Sequence, residues 1–169
     1  LSFGPDGRLY VAEQTGRIQA YEVARLDGPR YVVKAAETID VVVTGIANHF
    51  DDGTLSDQTG RQVTGMLVTG SAEAPVIYVS SSDPNIGAGT SELDIGLDTN
   101  SGVLSRLIWE PASQSWQKTD LLRGLPRSEE NHAVNGIALS EDGRQLYLAV
   151  GGHTNSGAPS AEFAYLTEY

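Results

Sequence analysis

Cysteine is absent from this chain of 169 residues. Its absence excludes disulfides, cysteine-ligated zinc and thiol chemistry. A cysteine-free chain fits a bacterial exported protein, periplasmic or extracellular, and fits a cytosolic one as well. Basic residues are also scarce: 11 Lys and Arg stand against 22 Asp and Glu, for a net charge of −11. With no basic stripe, nucleic acid and anionic membrane surfaces are poor partners. No apolar run approaches the length of a membrane span. No signal peptide is recognisable. Leu1-Ser2-Phe3 already reads as the inside of a strand, so the chain is expected to begin within a larger protein. Convincing amphipathic helices are missing too, and Ala161 to Tyr169 is the only short candidate. The hydrophobic fraction of 40%, with no purely polar segment, still predicts a folded domain with a core.

What the chain does hold is a repeated strand–turn–strand unit. Arg8 to Ala12 follows a Pro5-Asp6-Gly7 turn and leads through Thr15-Gly16 to Arg17 to Val23. Gln62 begins the next copy, VTGMLVTG, a turn at Ser71 to Pro75, then VIYVSSSD. The third copy is Val134 to Leu139, a turn at Glu141-Asp142-Gly143, then Gln145 to Val150. Gly143 is free to take a positive φ there. Tyr10, Tyr78 and Tyr147 hold the same place in the three copies, 68 and 69 residues apart. Near-equal intervals of this kind mark repeat architectures. Tyr31 to Ile39, Asp40 to Thr44, Val103 to Glu110 and Ser115 to Leu122 supply further strand-like sequence.

About four antiparallel strands per period is the pattern of β-propeller blades. The expectation is therefore an all-β fold: a fragment of about two to two and a half four-stranded blades, with blade-like units at roughly 1–60, 61–130 and 131–169 of one partial domain, 1–169. A β-sandwich is the alternative all-β reading. The small residues Gly136 and Ala138 are expected to admit close backbone neighbours. Trp109 and Trp116 are expected to pack between sheets, with a sugar-stacking platform as the lesser reading.

Several polar groups compete for function. The loop Asn48 to Gly60 holds Asp51, Asp52 and Asp57, which suit calcium in type but not in EF-hand spacing; a solvated loop is the plainer reading. Asp83 to Gly102 is a long insertion carrying Asp94 and Asp98, and loops of that length are often functional. His132 and His153 lie symmetrically about the third turn, so antiparallel pairing predicts that they meet at one end of the hairpin, near Asn131, Asn135 and Asn155. One period before Asn131 stands Gln62. Gln62 and the Asn131-His132 pair thus begin equivalent strands and are expected at one end of a central channel. Zinc on His49, His132 and His153 has no supporting spacing. Arg123 and Arg127 read as weak surface partners of Glu129 and Glu130.

At two of these segments, LLRGLPRSEENHAVNGIAL and RQVTGML, the chain resembles the soluble quinoprotein glucose dehydrogenases, also called glucose/sorbosone dehydrogenases. The resemblance implies a six-bladed propeller that binds pyrroloquinoline quinone (PQQ) and calcium above its channel. It implies that His132 is the general base, that Gln62 and Asn131 contact the cofactor, and that a small-molecule sugar is the substrate. An imidazole is suited to take the hydroxyl proton while the cofactor accepts a hydride. The family also carries an Asp after the second strand of this hairpin, which orients the base. Here the corresponding run is Gly151-Gly152-His153, so the expectation is an imidazole with no partner to set its tautomer. The missing blades and the cationic quinone-holding residues would lie in the parent chain outside these residues. A non-catalytic propeller binding carbohydrate or protein through its rim loops is the rival. A lactonase-type metal hydrolase is a third reading, which needs a Glu that the repeat positions lack.

Overall fold

A computed structural model describes residues 1–85, 98–127 and 132–152, with the backbone of 154–155 and 158–159. Asn131, His153, Asp94, Glu129, Glu130 and the candidate helix from Ala161 to Tyr169 lie outside the described residues. The fold is all-β and antiparallel. The first sheet runs in chain order: β1 (Ser2–Phe3), β2 (Leu9–Ala12), β3 (Ile18–Arg25) and β4 (Tyr31–Ile39). The second repeats it with β5 (Gln62–Gly70), β6 (Pro75–Ser82), β7 (Gly102–Glu110) and β8 (Ser115–Leu125). β9 (Val134–Leu139) and β10 (Leu146–Val150) form a hairpin, and the short β11 (Thr154–Asn155) pairs with β12 (Ala158–Pro159). Among the described residues no sheet closes on itself, and no helix is long and apolar enough to cross a membrane.

Alternation sets the faces. On β3, Ile18 and Ala20 are buried while Gln19 and Tyr21 are not. The buried set joins Tyr10, Ile39, Val68, Ile77, Val79, Leu107 and Trp116 in one core between the two sheets. The tyrosines of the repeat each fall on the second strand of their unit: Tyr10 on β2, Tyr78 on β6, Tyr147 on β10. The turns follow from local chemistry. Gly143 takes a φ of 71° and donates to the Ser140 carbonyl at 2.9 Å, while Asp142 Oδ1 accepts from the Arg144 N–H at 3.1 Å.

Two expectations about the strands are corrected. Asp40 to Thr44 is not a strand; Val41–Val43 forms a 3-10 turn whose Val42 plugs the core. Burying that side chain between the sheets outweighs the β preference of three valines. Gly136 meets nothing where a Cβ would stand. The close approach is made by Gly65 on β5, whose Cβ would collide with the Asn135 carbonyl. The two tryptophans pack as expected, edge to face, with ring centres 5.7 Å apart. Trp116 is in the core, and its Nε1–H donates to Glu37 Oε1 at 2.8 Å.

Candidate functional site

β5 and β9 run side by side. Thr64 Oγ1 donates to the Val134 carbonyl, and Ser80 Oγ on β6 donates to the Asn135 carbonyl at 2.7 Å. Two residues back from Thr64 is Gln62, and two back from Val134 is His132. The structure therefore sets Gln62 and His132 at the same end of neighbouring strands, while Asn131 falls outside the described residues. Gln62 is half-buried, and its carbonyl oxygen lies 3.5 Å from Ser82 Oγ. Its amide nitrogen makes no hydrogen bond among the described residues, so a ligand can still accept from it.

His132 is half-buried, and its Nδ1 lies 3.1 Å from the Gly152 carbonyl oxygen. A carbonyl only accepts, so Nδ1 carries the proton, and Nε2 of the neutral ring has no hydrogen-bond partner among the described residues. The expectation of an unpartnered imidazole is thus corrected. A backbone carbonyl sets the tautomer. Register explains how. Leu146 to Leu148 pair with Leu139 to Ile137 in the order symmetry predicts, but Val150 pairs with Val134, one residue out of step. That bulge turns Gly152 toward His132.

Beneath this end lies a buried polar layer that the sequence did not announce. Arg61, next to Gln62, is 1% exposed. Its Nη1 donates to Asn48 Oδ1 at 2.8 Å, and its Nη2 donates to the carbonyls of Ser81, at 3.3 Å, and of Ser101. Asn48 in turn donates to the Gln58 and Gly60 carbonyls, both at 2.8 Å. The Asn48 to Gly60 loop is therefore stitched to the strand ends. Burial lowers the Arg61 pKa to about 10, with Asp83, Asp98 and Asp120 pulling it back up; the guanidinium stays a cation at neutral pH. Arg127 is 1% exposed as well, so it is buried and not the surface residue expected; Glu129 and Glu130 lie outside the described residues. It donates to the Asn85 carbonyl at 2.8 Å and, at 3.5 Å, to the His132 carbonyl. Arg123 instead pairs with Asp120 and reaches the Gly45 carbonyl.

The carboxylates are committed to the same scaffold. Asp83 is fully buried and accepts from Asn85 Nδ2 and from the Asn85 and Asp98 N–H groups. Asp51 accepts from the N–H and hydroxyl of Thr99. Asp98 faces His49 Nε2 at 3.3 Å, and burial pushes its pKa up. Asp52 closes its own turn through Thr54, and Asp57 is exposed. Among the described residues, no three Asp, Glu or His side chains converge on a common point.

No protein-family profile, curated protein or solved structure matches the chain.

Proposed function

We propose that the chain forms part of a β-propeller, six-bladed by resemblance, that oxidises a sugar hydroxyl with PQQ, and that His132 is the proton acceptor. The observation that carries the catalytic reading is the His132 Nδ1 bond to the Gly152 carbonyl. It leaves Nε2 without a partner among the described residues, on an end shared with Gln62. The propeller reading draws support from the tyrosines of the repeat. Ile77 and Val79 on β6 face the first sheet, so Tyr78 between them faces the hairpin. Tyr10 likewise faces the second sheet. Their burial falls along the chain: Tyr10 is 0% exposed, Tyr78 half-buried, Tyr147 57% exposed. Each is covered in proportion to the unit that follows it. At the other face, Phe3 is 60% exposed and Leu9 and Val11, the equivalents of Ile77 and Val79, are only half-buried. Apolar faces of this kind belong to interfaces, and further blades would cover both.

The residues fit the polar half of a quinone site. The Gln62 carboxamide would donate to the cofactor, which supplies hydride acceptance when bound. His132 Nε2 would take the sugar hydroxyl proton within hydrogen-bond reach. For calcium, the described side chains offer no cage, and it takes no part in this reading. A periplasmic or extracellular location would follow from the same resemblance.

A neutral carbonyl orients an imidazole without supplying a countercharge for its protonated form. That observation favours the rival, a propeller that binds carbohydrate or protein without catalysis. Calorimetry of PQQ with calcium on the full-length parent protein, beside dye-linked aldose oxidation by His132→Ala, separates the two. Tight binding with oxidation abolished in the variant supports the enzyme. Absence of binding at high cofactor concentration refutes it and turns the search to carbohydrate ligands.

A further inference from the structure

We infer that Gly151 is a positioning residue for His132, a role that reaches catalysis only through the reading of His132 as base. The Gly151 N–H donates to the Ala133 carbonyl at 3.0 Å, closing the end of the hairpin against the residue after His132. A Cβ on Gly151 would stand 2.9 Å from His132 Cβ, 3.0 Å from His132 Cα and 3.2 Å from the Ala133 nitrogen. Two of these three atoms are backbone and cannot swing aside. The His132 carbonyl faces Arg127, which is itself held by the Asn85 carbonyl. The Arg127 N–H further donates to the Thr99 carbonyl at 2.8 Å. His132 thus has a glycine with no side chain against its Cα and Cβ and a buried guanidinium at its carbonyl. Any side chain at 151 must push the histidine off the Gly152 carbonyl or break the Gly151–Ala133 bond. The bare backbone at 151 keeps the proton on Nδ1 and Nε2 open.

The test reads the imidazole itself. Long-range proton–nitrogen correlation on the whole nitrogen-15-labelled chain reports the tautomer of each of its three histidines, and His132→Gln assigns the ring of interest. At a pH where the ring is neutral, the wild type is expected to show one tautomer, protonated on Nδ1. Gly151→Ala is expected to lose that single pattern. Gly136→Ala, in the same hairpin but with open space at its Cβ, is expected to keep it. Should Gly151→Ala fold too poorly for spectra, adding His132→Gly removes the closest of the three clashing atoms and should recover part of the stability. A wild-type ring protonated on Nε2 overturns the inference, as does an unchanged tautomer in a folded Gly151→Ala or no recovery in the double variant. These results stand apart from PQQ binding. A chain that binds no quinone can still hold the Nδ1–H tautomer, and one protonated on Nε2 can still bind quinone.

Discussion

Replacing Arg61 by Leu removes a planar five-donor group from a layer that water does not reach. Its acceptors are of unequal consequence. The Ser81 carbonyl lies within paired strands, where the ladder can still satisfy it. The Asn48 side-chain oxygen and the Ser101 carbonyl depend on the guanidinium, and both residues are buried. A buried acceptor left without a partner costs about 1–3 kcal/mol, so two cost roughly 2–6 kcal/mol. Against this, the variant no longer has to desolvate a cation, and Leu adds apolar burial, so the low half of that range applies. We expect a loss of about 3 kcal/mol, a large share of the roughly 5–15 kcal/mol that holds a domain folded. With a urea m-value near 2 kcal/mol/M, the midpoint should fall by about 1.5 M. Arg61→Lys should recover only part of it, because one ammonium cannot span acceptors on three segments. Urea unfolding followed by tryptophan fluorescence measures both. A midpoint shift under about 0.5 M, or a Lys variant equal to wild type, would refute the idea that the fork ties the loop to the strands.

Gly65→Ala should separate β5 from β9 and destabilise the chain by about 2 kcal/mol or more; urea unfolding of the variant checks this, and a silent substitution would mean the two strands do not touch. Tyr10→Phe removes a core hydroxyl that donates to Asp6 Oδ2 at 2.7 Å and accepts from Arg8 Nη2 at 2.8 Å, and should cost about 1–2 kcal/mol by the same measurement. Acid should destabilise the protein below pH 3.8. Burial pushes Asp6 up, but hydrogen bonds from Arg8 and Tyr10 outweigh it and hold the carboxyl below its ordinary value of 3.8. Asp120 is held low in the same way by Ser105 and Arg123 against burial. Both stabilise above the unfolded value of 3.8, and that stability disappears as pH falls through their folded values. Asp98, raised by burial, acts in the opposite sense, so a melting temperature flat from pH 5 to pH 2 would mean that Asp6 and Asp120 do not outweigh it.

The strands were legible because β-branched and alternating sequence is bounded by turn residues. Tyr31–Ile39 and Val134–Leu139 fall where alternation and turn residues place them, and the tyrosine interval marks the second strand of each unit. Misreadings arose where one neighbour overrides a local preference. Val42 fills a gap between sheets that no local pattern reveals, and the close approach falls on Gly65 because its partner strand lies 70 residues away at Thr64–Val134.

The candidate site was legible in its side chains and illegible in its backbone. A histidine and a glutamine one repeat apart can be read from a sequence, because repetition equates their positions. The groups that hold them are different in kind: the Gly152 carbonyl, the missing Cβ of Gly151, and two buried arginines whose acceptors are mostly main-chain oxygens. A carbonyl has no letter in a sequence, and an arginine in a polar loop carries no mark of burial. The absence of an aspartate after β10 therefore suggested an unoriented base, whereas the bulge between Leu148 and Val150 shifts the register by one residue and brings the Gly152 carbonyl to Nδ1. Orientation and charge compensation, which one carboxylate can combine, come apart at His132: the backbone supplies the first, and the described residues supply no carboxylate to the ring for the second.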